Sequence, residues 1–327
     1  MTADVIPQEF GALARLAQQA GCAPDAAEIL PGDVGRRRYL RLRLSGGQCV
    51  LGVVYPPEEA DSRQRWLAAR AALEGRVRVP RLIADDLVGN QIVEDLGRRD
   101  LATLFTEEPA SRRPYLARAV DAAAVIAALP DPGINPPFTA TFFRRELELA
   151  REAVFDLHLG APLSLAERTV HDAWADALCA EIAAHPQALC HRDFHGNNLF
   201  LVEGAVAAID FQDMRMGPDA YDVASLLWER TTLDWMTPDE AFRATEGFCG
   251  ARGLETAAFT QRFERVLLQR AWKVCGTFAR ALSQGKGDVY RKYLPGEVRL
   301  VRRLLSGSQS DRAFRDLFEP RVAAVLS

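Results

Sequence analysis

The sequence predicts an α+β protein of two lobes: a small antiparallel-sheet N-lobe over residues 1–96 and a larger, mostly helical C-lobe over 97–327. Three observations predict it. The first third alternates short strand patterns with turn signals. From Leu101 onward, apolar residues recur mostly at helical spacing. One apolar hairpin, about the turn Glu203-Gly204, interrupts the helices.

Residues 8–19 place Phe10, Leu13 and Leu16 on one helical face. A short strand over 27–30 precedes strands over 38–44 and 48–55, the latter two joined by Ser45-Gly46-Gly47. Pro56-Pro57-Glu58-Glu59 opens a helix running to about Leu73, its acids suiting the helix dipole. Strands over 82–86 and 91–94 flank the turn Val88-Gly89-Asn90. Helices are expected over 112–128, 141–157, 165–184, 219–231, 238–252, 256–284, 297–305 and 312–326, with a strand pair between Asn198 and Ile209.

Composition excludes several classes. With 48% hydrophobic and 26% charged residues, the chain can bury a core and is not disordered. A net charge of -4 argues against a dedicated nucleic-acid surface. No apolar stretch is long enough for a membrane span, and the first ten residues carry Asp4 and Glu9 but no basic residue, unlike a secretory signal. The six cysteines are widely spaced without a C-x-x-C pair, so buried thiols in a reducing cytoplasm are expected. Of 40 basic residues only Lys273, Lys286 and Lys292 are lysines.

The chemistry concentrates in His191-Arg192-Asp193-Phe194-His195-Gly196-Asn197-Asn198 and the later Ile209-Asp210-Phe211. A hairpin turning at Glu203-Gly204 brings Asn198 and Asp210 to facing strand ends, roughly 5 Å apart at the backbone. An amide oxygen beside a carboxylate suits magnesium, which takes hard oxygen ligands and shares its shell with phosphate. Asp193, five residues before Asn198, is then the acceptor of a hydroxyl proton. Kinases use this arrangement on ATP: an aspartate for the attacking hydroxyl, an asparagine and a later aspartate for the metal. The H-x-D-x-H string also admits a transition-metal reading, but that leaves Asn198 and Asp210 unused.

The segment resembles the aminoglycoside phosphotransferase and choline kinase superfamily, which implies a protein-kinase-like fold. Protein kinases proper fit badly. Tyr221 follows Asp210 after eleven positions, leaving no room for a peptide-docking segment, and Gln212-Asp213 replaces the glycine of D-F-G. Ile209-Asp210-Phe211-Gln212-Asp213, Gly217-Pro218 and Tyr221-Asp222-Val223-Ala224-Ser225-Leu226-Leu227 are similar to bacterial cell-wall-recycling amino-sugar kinases. So are the run from Arg270 to Arg280, Tyr55-Pro56-Pro57-Glu58 and Val93-Glu94-Asp95-Leu96-Gly97. That resemblance implies transfer of the ATP γ-phosphoryl group to the anomeric hydroxyl of N-acetylmuramate or N-acetylglucosamine. Rival readings are a kinase of an aminoglycoside, choline, homoserine or another sugar, and a silent nucleotide-binding module.

The run Pro31-Gly32-Asp33-Val34-Gly35-Arg36-Arg37-Arg38 is the candidate phosphate loop, with Gly32 and Gly35 admitting close backbone approach and Arg36, Arg37 and Arg38 adding charge. Glu94 and Leu96 are expected at the base edge. The third strand, Val50-Leu51-Gly52-Val53-Val54, lacks the usual phosphate-gripping lysine. A loop arginine, or Arg41 or Arg43, is the expected substitute. Without that lysine, Glu58 and Glu59 read equally as ordinary first-turn acids. On the acceptor side the candidates are Asp213, which could bond a sugar hydroxyl, help hold the metal or simply cap a turn, with Lys273 and Glu146. Lys273 suits an acidic group such as a lactyl carboxylate, and equally a solvated helix face. Asp222 is expected to buttress the catalytic loop and His195 to brace it.

Overall fold

The computed structural model describes residues 5–30, 36–285 and 288–326. The chain divides into two compact units, one of Met1–Leu101 with Asn197–Asp213, the other of Ala102–Gly196 with Met214–Ser327. Residues 97–101 and the hairpin, assigned above to the second part, therefore pack with the first. Strand pairing within the hairpin's neighbourhood explains this: Ala208 N–H donates to the Arg78 carbonyl at 2.9 Å, and Asp100 bridges to Phe200.

The first unit opens with a short turn and helix α1 (Gly11–Gln19), then strands β1 (Pro24–Leu30), β2 (Arg38–Leu44) and β3 (Cys49–Val54). Helix α2 (Ala60–Leu73), strands β4 (Leu82–Asp85) and β5 (Asn90–Glu94) complete the sheet, in the order β1-β2-β3-β5-β4, every pair antiparallel. Period-two alternation gives the sheet two distinct faces. Leu40, Leu42, Val50 and Ile92 pack against Phe10, Leu13 and Leu16 around α1. Tyr39, Arg41, Leu51 and Val53 point the other way and line a cavity. On α2, Trp66, Ala69 and Leu73 are buried at helical spacing, and Arg63 pairs with Asp85.

The second unit is mainly helical: α3 (Leu101–Glu107), α4 (Arg112–Ala127), α5 (Ala140–Arg151), which runs on as a π-helical segment Glu152–His158, and α6 (Leu165–Ala183). Strand β6 (Gln187–Cys190) leads to the hairpin β7 (Leu199–Val202) and β8 (Ala205–Ala208), which belongs to the first unit, and then β9 (Arg215–Pro218). The pair β6–β9 is antiparallel and was not expected from the sequence. Helices α7 (Tyr221–Leu227), α8 (Pro238–Arg252), α9 (Thr256–Ser283), α10 (Asp288–Arg291), α11 (Leu294–Leu305) and α12 (Arg312–Leu326) follow. The 28-residue α9 is the core, packing on α5, α7 and α11. Helix starts follow capping chemistry: Ser164 with Glu167 and Thr237 with Glu240 form reciprocal capping boxes. Helix α7 is shorter than the expected 219–231. Asp219 is held in a buried pair with Arg262 before it, and the backbone leaves the helical region at Trp228 after it. Among the described residues no helix is long and apolar enough to cross a membrane, and the six cysteines are free.

Candidate active site

The hairpin register is Leu199↔Ala208 through Val202↔Ala205. It continues with Ile209 N–H donating to the Asn198 carbonyl at 3.0 Å. Asn198 is thus opposite Ile209, one step short of the expected Asp210. Asp210 follows at once, with φ of 64°, a left-handed conformation uncommon outside glycine. Phe211 behind it is fully buried and stacks on Trp66 with ring centroids 5.6 Å apart. That anchor holds the turn while the Asp210 carboxylate accepts from Gln212 Nε2 at 2.8 Å and faces Arg37 Nη2 at 3.5 Å.

Asn198, Asp210 and Asp213 all line one cavity of about 520 Å³ contained in the first unit, a volume suited to a small organic ligand. Leu51, Val93, Leu96, Phe200 and Ile209 make its apolar lining, and Arg37, Tyr55 and Gln212 add polar groups. The oxygen donors of Asn198, Asp210 and Asp213 are of the kind magnesium prefers. Asp213, expected to bond a sugar hydroxyl, help the metal or cap a turn, lines the cavity that holds the two candidate metal ligands. Glu94 also lines it, but its carboxylate is engaged by Arg78 and Arg81, and its N–H by the Arg81 carbonyl. Leu96 supplies apolar surface.

The three expected loop arginines separate. Arg36 is exposed and pairs with Glu58 at 2.7 Å. Arg38 pairs with Glu9 at 2.6 Å and lies over the Phe10 ring at 4.2 Å, the α1 side of the sheet. Only Arg37 of the three lines the cavity. Arg41 lines it too, but a bidentate pair with Asp95, at 2.5 and 3.0 Å, and a bond to the Gly97 carbonyl occupy its guanidinium. Arg43 is exposed and not part of the lining. Gly32 and Gly35 lie outside the described residues.

In the second unit the segment bearing Asp193 is pinned from two helices. The Asp222 carboxylate, on α7, accepts the His191 N–H at 2.6 Å and the Arg192 N–H at 3.0 Å. Arg192 has φ of 85°, a strained conformation these bonds maintain. From α9, Arg270 donates to the Arg192 carbonyl at 3.3 Å and to Ser225 Oγ at 2.7 Å, its guanidinium 4.3 Å over the Tyr221 ring. Burial raises the pKa of Asp193, but the charges of Lys273, Arg192 and Arg270 outweigh it and hold the carboxyl at about 2. Burial lowers His195 to about 4, so its imidazole is neutral. Lys273 Nζ is 3.6 Å from Glu146, which also accepts from Gln269 Nε2 at 2.9 Å. Lys273 is therefore a paired, largely buried cation rather than a solvated one.

Sequence reasoning assigned no role to Arg270, Ser225 or Gln269. The helical spacing of Arg270 and Lys273, three residues apart, was the available signal for Arg270. His191, Asp193 and His195 do not gather as metal ligands. Among the described residues the one such group is Glu148, His171 and Asp172. Its carboxylates are already paired, Glu148 with Arg144, Arg151 and Arg168, Asp172 with Arg144.

An ionised aspartate on a clamped loop, followed five residues later in the sequence by an oxygen-bearing hairpin, is a pattern of residues that phosphoryl transfer uses. The sequence matches the phosphotransferase enzyme family over residues 26–259, and the chain belongs to that family. It is 29% identical to the N-acetylmuramate/N-acetylglucosamine kinase of Neisseria meningitidis serogroup B, over 83% of each chain. It is also 29% identical to the enzyme of the same name from Pseudomonas aeruginosa, over 85% of each. Among solved structures, an ADP-bound aminoglycoside phosphotransferase matches with a TM-score of 0.61, over 94% of this chain and 99% of its own, at 15% identity. That likeness is one of fold.

Proposed function

We propose that this phosphotransferase moves the γ-phosphoryl group of ATP to the anomeric hydroxyl of N-acetylmuramate or N-acetylglucosamine. The observations that carry the reading are a clamped, ionised Asp193 and, five residues on in the sequence, a hairpin that presents Asn198 and Asp210 to one cavity. Two relatives named as N-acetylmuramate/N-acetylglucosamine kinases, similar over most of their length, support the acceptor sugar. The ADP-bound fold neighbour supports a nucleotide as donor.

In this reading Asp193 accepts a hydrogen bond from the sugar hydroxyl, aims its oxygen at the γ-phosphorus and takes the proton as the new bond forms. Asn198 and Asp210 would hold Mg²⁺ on the nucleotide; when bound, the ion neutralises charge on the phosphate oxygens. Leu51, Val93 and Leu96 receive the adenine face in an apolar slot. Asp222 and Arg270 are positioning residues that fix the loop backbone. Lys273 and Glu146 belong to the acceptor side, where the ammonium suits a sugar carboxylate. Six unpaired thiols suit the reducing cytoplasm.

The test is ADP formation by the purified protein with N-acetylmuramate, N-acetylglucosamine, an aminoglycoside, choline and homoserine, with and without magnesium. Magnesium-dependent turnover with either amino sugar is the expected result. Turnover confined to another acceptor overturns the substrate assignment, and none with any acceptor favours a silent nucleotide-binding module.

A further inference from the structure

We infer that Arg37 supplies the phosphate-gripping cation that the third strand lacks, with Glu59 as the carboxylate that holds it. The inference rests on the ATP-dependent reading above and extends it to a residue which the usual kinase pattern does not assign. Strand register carries the first part of the argument. Tyr39 pairs with Val53 and Arg41 with Leu51, and all four line the cavity. In the lining the third strand offers only the aliphatic Leu51 and Val53. Arg37 lies two residues before Tyr39, on the same alternation, and lines the cavity with it. The missing charge is therefore replaced from the neighbouring strand's entry.

Pairing geometry decides between the two arginines of the described lining. Arg41 is committed to Asp95 and Gly97 by three contacts of 3.0 Å or less. Arg37 makes two longer ion-pair contacts, Nε to Glu59 at 3.4 Å and Nη2 to Asp210 at 3.5 Å, besides a hydrogen bond with Tyr55. Its guanidinium keeps donors in a planar fork suited to phosphate oxygens. Glu59 also accepts the Arg36 backbone N–H at 2.9 Å, so the acid is fixed at the helix entry and steadies the residue beside it. This is the division of labour of the usual strand lysine and helix glutamate, executed by an arginine one strand away. The position also suits the chemistry. Leu51, near the Glu94–Leu96 end, and Tyr55, near Arg37, are four residues apart on one strand run, about 13 Å, the span from a base to its outer phosphates.

Binding calorimetry on the full chain tests this, with ADP and adenosine as probes, each with magnesium and with chelator. Arg37→Ala should weaken ADP at least tenfold in both conditions and leave adenosine within twofold, and Arg37→Lys should recover part of the ADP loss. In turnover the KM for ATP should rise while that for the sugar stays put. Arg37→Ala binding ADP as the wild type does overturns the inference alone, as does equal loss of ADP and adenosine. A wild-type protein that binds neither ADP nor adenosine overturns the ATP-dependent reading itself, and this inference with it.

Discussion

A carboxyl held at about 2 is a weak base at neutral pH. In the proposed mechanism Asp193 therefore contributes chiefly by orienting a hydroxyl and receiving its proton late, as a loose transition state requires. Replacing it removes the orientation and the acceptor together. Asp193→Ala should lower turnover by roughly 10²- to 10⁴-fold while ADP affinity, measured by calorimetry, is retained. A variant with wild-type turnover would remove Asp193 from the chemistry. The placement of this residue and of Asn198 and Asp210 on one loop and one hairpin was legible from spacing. The separate fates of Arg36, Arg37 and Arg38 were not. Three adjacent arginines look alike in sequence, and Glu58, Asp210 and Glu9, far off along the chain, divide them.

Elements followed local pattern wherever the pattern was long. The 28 residues of α9 and the 19 of α6 lie within two residues of their expected ends, since many apolar positions and a cap specify each. Short elements escaped. β6 and β9 have four residues each and exist through pairing with one another, Gln187 with Pro218 and Cys190 with Arg215, across a long intervening segment. Helix α3 was too brief for a periodic signal. Packing between elements adds a constraint that no single helix displays. A Cβ at Gly276 on α9 would lie 2.4 Å from Ala150 Cα on α5, a backbone atom that cannot rotate aside. Gly276→Ala should destabilise the protein by about 1–3 kcal/mol or more, seen as a lower denaturant midpoint. An unchanged midpoint would show that α5 and α9 separate at little cost.

At the scale of the whole molecule, one buried acid couples stability to pH. Glu297 is 1% exposed, and both carboxyl oxygens lack a hydrogen-bond partner among the described residues. Burial, reinforced by nearby Glu229, raises its pKa to about 8. An unfolded glutamate titrates near ~4.3. Between these values the folded chain retains a proton that the unfolded chain releases, so stability falls as pH rises and levels off above about 8. Thermal unfolding from pH 5 to 8 should show a decline in Tm that Glu297→Gln reduces, with the variant more stable than the parent at pH 8. Equal slopes for the two proteins would mean that Glu297 is charged in the fold.

Sequence by itself determined the α+β class and the order of the longer strands and helices, and it placed the candidates Asp193, Asn198 and Asp210 on one loop and one hairpin. Those depend on periodicity, turn chemistry and short spacings, all properties of neighbouring residues. Only the tertiary structure decided which arginine enters the cavity, how Asp222 and Arg270 clamp a strained loop, and that Lys273 is paired with Glu146. Long charged side chains have many rotamers, and the carboxylate or carbonyl that selects one lies on a segment remote in sequence.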